Sequence, residues 1–193
     1  SSLAGGATSV PINISGKIDN IKPTANENLT VDGSYLVEWL PHGAIGAVKI
    51  VLMPDNYNVT NTNQSGTTYN WQGIPDKLGT DKYLRFISEG GVTQDSGVFN
   101  IRGAINITSP DGGETFMKGK NCTISWNPHG SIGQINITYT LNNGTDLYQN
   151  LISGSEDAIN MTYDWNLSGV TTSKEVKIKI RALSSAGVQP VYS

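Results

Sequence analysis

The twelve residues from Trp39 to Ile50 recur 87 residues later in the chain, from Trp126 to Ile137. The two segments read WLPHGAIGAVKI and WNPHGSIGQINI. The same offset pairs Glu27 with Glu114, well upstream of these segments. A repeat of this length predicts two structural units of roughly 90 residues, each large enough to bury a core of its own.

Within each copy, apolar and polar residues alternate in short runs between turn residues. Tyr35, Val37 and Trp39 occupy every second position before the Pro-His-Gly turn, as Cys122, Ile124 and Trp126 do in the second copy. Alternation with a period of two predicts half-buried strands. Further along, Tyr69–Trp71 matches Tyr163–Trp165 at an offset of 94. The extra residues of the second copy are therefore expected in a hairpin around Asn142–Gly144.

About seven short strands are expected in each copy, at the spacing that is typical of a β-sandwich. Long runs of helix-forming residues are missing, so almost no helix is expected. The predicted fold class is all-β, with two tandem β-sandwich domains. Four tryptophans occupy equivalent positions in the two copies and are expected to anchor the cores: Trp39, Trp71, Trp126 and Trp165.

The motif Ser109-Pro110-Asp111-Gly112-Gly113-Glu114, followed by Gly119 and Thr123–Trp126, resembles the start of an immunoglobulin-like repeat. Such repeats are common in large secreted and surface-anchored proteins of archaea and bacteria, and they are similar to the domain of the fungal Ser/Thr-rich anchored cell-wall family. The resemblance covers all of the second copy, whereas the first copy carries the degraded form Lys22–Glu27. It implies an immunoglobulin-like fold and little about activity, since fold does not fix function.

The first residues of the chain align with the end of the first copy. Residues 12–18, INISGKI, match residues 99–105, FNIRGAI, again at an offset of 87. The predicted organisation is a separate N-terminal strand in residues 1–17, one immunoglobulin-like domain in residues 18–103 and another in residues 104–193. In this alignment Val191–Ser193 corresponds only to the start of the closing strand of the first copy, Val98–Asn100.

Three explanations of this displaced strand are left open. In the first explanation, residues 9–16 of one molecule, with Val10, Ile12 and Ile14 facing inward, complete the second domain of another molecule. An open sheet edge is a template for such an added strand, and a head-to-tail contact that does not close gives a filament. Alternatively, the chain is a piece of a longer tandem array, or the strand pairs within its own chain.

Asn-x-Ser/Thr sequences are far more frequent than chance. Random placement of the Asn, Ser and Thr residues would give about three or four such sites, and the chain has ten: Asn13, Asn28, Asn58, Asn63, Asn106, Asn121, Asn136, Asn143, Asn160 and Asn166. Four of them lie between apolar residues and are expected on the polar faces of strands: Asn13, Asn106, Asn136 and Asn160. This pattern predicts N-glycosylation and an extracellular, cell-surface location. Glycans without disulfides favour an archaeal surface.

Residue patterns that carry chemistry are missing. His42 and His129 both lie in the repeated Pro-His-Gly turn and are interpreted as turn residues inherited by duplication. Cys122, the single cysteine, is interpreted as a core residue with no thiolate-stabilising neighbours. Scattered carboxylates match no calcium-loop pattern, although a calcium ion bound between loops is left open. No catalytic, metal or cofactor site, and hence no enzyme, is expected.

These observations favour a non-enzymatic structural glycoprotein of the cell surface that assembles with copies of itself. The low charge content and the net charge of −3 make nucleic acid a poor partner, and no stretch is apolar enough to span a membrane. The alternative is an adhesive or carbohydrate-binding module excised from a longer multi-repeat surface protein. Its exposed rings would be Tyr57, Tyr148 and Tyr192.

Overall fold

The structure is a computed structural model that describes residues 10, 15–152, 154–183 and 191–192. The described part of the chain folds into β-strands with one short 3₁₀ turn at Ala158–Asn160. No helix of this part is long and apolar enough to cross a membrane.

Nine strands form the first sandwich: β1 Lys17–Lys22, β2 Asn28–Thr30, β3 Ser34–His42, β4 Val48–Met53, β5 Tyr57–Asn58, β6 Thr68–Gln72, β7 Gly79–Ser88, β8 Thr93–Asp95 and β9 Phe99–Arg102. One sheet has the order β1-β3-β6. The other has the order β2-β9-β7-β4-β5, with β8 also paired to β7. Strand β2 runs parallel to β9, whereas the other pairs are antiparallel.

Eight strands form the second sandwich: β10 Ala104–Ser109, β11 Asn121–His129, β12 Gln134–Thr140, β13 Gln149–Asn150, β14 Glu156–Asp157, β15 Thr162–Asn166, β16 Lys177–Ala182 and β17 Val191–Tyr192. One sheet has the order β10-β11-β15, and the other β13-β12-β16-β17, with β14 paired to β12. The chain therefore forms two tandem immunoglobulin-like β-sandwiches, because each has an equivalent three-stranded sheet and a second sheet around its own core. The limits 18–103 and 104–193 stay a prediction.

The alternating residues of the repeat fill the two cores. Val37 and Trp39 of the first sandwich and Ile124 and Trp126 of the second are buried between the sheets. All four tryptophans and Cys122 lie in the cores, as predicted. The Nε1 group of Trp126 donates a hydrogen bond to the carbonyl of Ala158 at 2.7 Å.

Two predictions about strand positions are wrong. Asn160 does not lie on the polar face of a strand, because it ends the 3₁₀ turn and both neighbours, Ile159 and Met161, are exposed. Tyr192 pairs with Lys179, just as Asp95 pairs with the equivalent Arg85. Residues 191–192 therefore take the place of β8, and not the place of the closing strand β9 as the sequence alignment predicted.

Phe86→Ala is expected to lower the free energy of unfolding by about 3–5 kcal/mol, because Phe86 is fully buried and the substitution leaves a cavity. Urea unfolding followed by tryptophan fluorescence measures this change. The matched control is Ile87→Ala on the next residue of β7, which is 39% exposed. Its expected effect is below about 1 kcal/mol, and equal effects of the two substitutions would contradict the assigned faces of β7.

Candidate functional site: an open groove in the second sandwich

The two sandwiches differ at the place that β9 occupies in the first one. Strand β9 lies between β2 and β7, where Ile101 is opposite both Leu29 and Gly79. Phe99 and Ile101 are each 0% exposed. The backbone N–H groups of Asn26 and Val31 donate to carbonyls of Val98 and Arg102. This strand therefore completes both the core and the backbone pairing of the first sandwich.

In the second sandwich the same place is a groove. Its volume is about 550 Å³. One wall is formed by residues 110–118, which include the repeat counterpart of β2, and the other by residues 170–176, which precede β16. Among the residues that the structure describes, no strand pairs with 113–118. Cys122, Trp165 and Ile178 lie at the floor of the groove.

Two apolar side chains in the walls of the groove are exposed where the equivalent positions of the first sandwich are buried. Phe116 is 41% exposed, whereas its counterpart in β2, Leu29, is 3% exposed. Val176 is 43% exposed, whereas its counterpart Lys82 is buried and pairs with Asp55 at 3.0 Å. Removing such apolar side chains from water is favourable, so the groove is suited to an apolar strand.

Each sandwich has one glutamate that closes the equivalent turn. Glu114 accepts hydrogen bonds from the backbone N–H groups of Asp111, at 2.7 Å, and Gly112, at 2.8 Å. Glu27 holds the equivalent loop through Thr24 and also accepts a hydrogen bond from the Tyr35 hydroxyl at 2.6 Å. The glutamate of the Pro-Asp-Gly-Gly-Glu motif therefore shapes the turn at one end of the groove.

Backbone hydrogen bonds hold the pKa of Glu114 below its usual range. The pKa of the Cys122 thiol is raised, chiefly by burial and then by the nearby Glu114 and Asp164 carboxylates. The thiol therefore stays protonated at neutral pH and is a poor nucleophile. Its place at the floor of the groove makes it a structural residue there.

The predicted glycosylation sites are spread over both sandwiches, and Asn13 lies outside the described residues. Asn136 is half-buried on β12, whereas the other described sites are exposed: Asn28, Asn58, Asn63, Asn106, Asn121, Asn143, Asn160 and Asn166. The side-chain oxygen of Asn166 accepts hydrogen bonds from the backbone N–H and the hydroxyl of Ser168 within the same sequon. Occupancy of these sites stays a prediction.

The remaining predicted features are not brought together into a chemical site. His42 lies 3.3 Å from Asp19 and His129 lies 3.1 Å from Asp32, in the turns of different sandwiches. No group of three potential metal ligands occurs in the part of the chain that the structure describes. Of the assembly residues, Val10 is exposed, and Ile12 and Ile14 lie outside the described residues.

Comparison with other proteins identifies no family. No protein-family model and no curated protein sequence matches the chain. Solved structures that resemble it include the fibronectin(III)-like modules of CbhA from Clostridium thermocellum, with 14% identity over 92% of this chain and 91% of that chain and a TM-score of 0.32. DIP-gamma IG1+IG2 has 8% identity over 93% and 95%, with a TM-score of 0.35. Murine CEACAM1b has 14% identity over 93% and 96%, with a TM-score of 0.32.

Glu114→Gln is expected to destabilise the second sandwich at pH 7 and to have a smaller effect in acid. A glutamate with a lowered native pKa contributes stability above its unfolded pKa, about 4.3, and that contribution is lost as the pH falls through the native pKa. Urea unfolding of both proteins at pH 7 and at about pH 3 measures the difference.

The control for this titration is Glu175→Gln, since the Glu175 carboxylate makes no hydrogen bond with another described residue. This control is expected to change stability little at either pH. A loss of stability in Glu114→Gln that is the same at both pH values would contradict the stabilising role of the ionised carboxylate.

Proposed function

We propose that the protein is a non-enzymatic structural glycoprotein of the cell surface that polymerises head to tail. Residues 9–16 of one copy occupy the groove of the second sandwich of another copy, in the place that β9 takes in the first sandwich. The groove is the observation that carries this proposal, because it lies where β9 closes the first sandwich and exposes Phe116 and Val176. It is bounded by residues 113–118, with which no described strand pairs.

The internal repeat indicates which residues would fill the groove. Ile12 corresponds to Phe99 and Ile14 to Ile101, the two side chains of β9 that are fully buried in the first sandwich. Burying side chains of this size contributes about 1.5–3 kcal/mol each. Asn13 lies between them and Ser15 follows Ile14, so both would point away from the core, since successive side chains of a strand alternate faces.

The partner groove is also suited to an aliphatic strand. Its floor contains Cys122 where the first sandwich has the larger Tyr35, and its wall contains Val176 where the first sandwich has the charged Lys82. The first sandwich is already closed by its own β9. Only the second sandwich therefore offers a place for the added strand, and this gives the polymer a single direction.

Ile12→Asp combined with Ile14→Asp is expected to abolish polymerisation, because two carboxylates would have to be buried in an apolar groove. Light scattering and negative-stain electron microscopy compare this variant with the full chain and with a chain lacking residues 1–17. The full chain is expected to form threads, and both altered chains are expected to stay monomeric.

The matched control is Asn13→Asp combined with Ser15→Asp, which adds the same charge to the opposite face of the strand. Threads are expected to persist in this control. If the full chain is itself a monomer, and is as stable as the truncated chain, the polymer is excluded. The remaining interpretation is then a module of a longer surface protein.

Intact mass spectrometry of native material is expected to show a mass well above that of the bare chain, 20.6 kDa. Peptide mapping then assigns the glycans to sequons, with the exposed Asn106 and Asn121 as expected sites. A native mass equal to that of the bare chain would exclude the glycoprotein part of the proposal and leave the strand exchange unaffected.

A further inference from the structure

The Pro-His-Gly turn of the second sandwich forms the joint between the two sandwiches of one chain. His129 Nδ1 lies 3.1 Å from Asp32 Oδ2, and the Ser131 hydroxyl donates a hydrogen bond to the Asp76 carboxylate. A Cβ atom added to Gly130 would lie 3.4 Å from the Cβ atom of Val31. These contacts define the inner joint: the turn 128–131 seated on the loop 31–33 and Asp76.

The first sandwich carries the same turn, and no described residue of another sandwich covers it. His42 lies 3.3 Å from Asp19 of its own sandwich, as His129 lies 3.3 Å from Asn106. However, the His42 side chain is 51% exposed and the His129 side chain 33% exposed. The turn 41–44 is therefore an exposed copy of a surface that the repeat uses as a joint.

The second sandwich carries a copy of the opposite surface. Lys118–Lys120 corresponds to the loop 31–33, and Val170 corresponds to Asp76. The backbone has the same left-handed conformation at equivalent positions, with φ of 63° at Asp32 and 82° at Gly119. Lys118–Lys120 is exposed. Both halves of a second joint are thus present at opposite ends of the described chain.

The short connection between the closing strand of one sandwich and the first strand of the next restricts how the two halves of the second joint can meet. A single residue, Gly103, separates β9 from β10. Gly16 takes the same place before β1, and a Cβ atom there would lie 2.1 Å from Ile45 Cγ2 and 2.8 Å from the His42 carbonyl. A strand that fills the groove up to residue 15 therefore brings the first sandwich of its own molecule directly onto the second sandwich of its neighbour.

We infer that an outer joint exists between copies, in which the turn 41–44 of one copy sits on the loop Lys118–Lys120 and Val170 of the preceding copy. This inference rests on the proposed function. The outer joint has the geometry of the inner joint but neither of its polar pairs. Gly119 stands where Asp32 would contact the histidine, and Ala44 and Val170 stand where Ser131 and Asp76 meet.

Since the inner joint carries the two polar contacts and the outer joint neither, the polymer has two kinds of joint in alternation. The outer joint depends on the inserted strand and on the turn that packs beside it. Bending of the thread is expected to concentrate at the outer joints, which are every second joint along it.

A pair of cysteines tests the geometry of the outer joint. In a Cys122→Ala background, Gly43→Cys with Lys118→Cys reproduces across copies the positions of Gly130 and Val31. A Cβ atom on Gly130 would lie 3.4 Å from that of Val31, close to the separation found in disulfides. Oxidised threads are expected to give a ladder of covalent multimers on a non-reducing gel. The control pair, Gly130→Cys with Val31→Cys, is expected to form a disulfide within one chain.

The outcomes separate this inference from the proposed function. Threads in the microscope without a ladder, while the control pair is oxidised, would overturn the outer joint and leave strand exchange standing. Absence of threads in the unmodified chain would overturn both. Either cysteine alone is expected to give no ladder.

A second variant avoids reliance on a cysteine at the positive φ of Gly43, 77°. Gly119→Asp restores the carboxylate of the inner joint on a backbone that Asp32 already adopts, and an added Cβ atom there meets no atom within 4 Å. Threads of this variant are expected to dissociate up to about fivefold more slowly, as one exposed polar contact allows. Gly91→Asp, also at an open position with φ of 81°, is the control. Equal dissociation rates of the two variants would contradict the outer joint.

Discussion

The pairing of β9 between β2 and β7 is the interaction on which the architecture depends. This one strand satisfies the backbone of the parallel β2 segment and covers the core with Phe99 and Ile101. Where the second sandwich lacks a described strand at this place, Phe116 and Val176 become exposed and a groove of about 550 Å³ opens. Unpaired backbone groups and exposed apolar side chains are costly, and an added strand would cover both, as we propose.

In the proposed polymer, the internal repeat itself would make the groove specific for the N-terminal strand. A duplicated sandwich already contains the sequence that fits its own closing position, so residues 12–15 need only keep the alternation of β9. Substitutions in the groove then distinguish it from the first sandwich: Tyr35 is replaced by Cys122 and Lys82 by Val176. The floor is less bulky, and an uncharged side chain stands at the position of Lys82; both changes are consistent with the two isoleucines proposed to bind there.

Much of the fold could be predicted from the sequence, because alternation and repetition are local signals. The strands around Trp39 and Trp126, the burial of Cys122 and the hairpin after β12 follow from them. The position of Tyr192 could not be predicted, since an alignment at a constant offset does not allow for the longer connection between β16 and β17 than between β7 and β8. Asn160 was misplaced because apolar neighbours mark a strand only when they are buried, and Ile159 is 75% exposed.

The joint between the sandwiches could not be predicted either. Asp32 and Asp76 have no counterparts of the same type in the second copy, so the repeat gives no sign that they contact the Pro-His-Gly turn. Only the structure brings His129 to Asp32 and Ser131 to Asp76. The duplicated histidines do not form a pair in space. His42 contacts Asp19, whereas His129 contacts Asp32.

The most direct test of strand exchange is the binding of a synthetic peptide of residues 9–17 to a chain that lacks residues 1–17. Isothermal titration calorimetry measures the affinity, and the reaction of Cys122 with a thiol reagent in mild urea reports on the groove. Saturable one-to-one binding that slows modification of Cys122 is the expected result, whereas a peptide with Ile12 and Ile14 replaced by aspartate should do neither. A native peptide that fails to bind, or that binds while Cys122 remains equally reactive, would contradict the account.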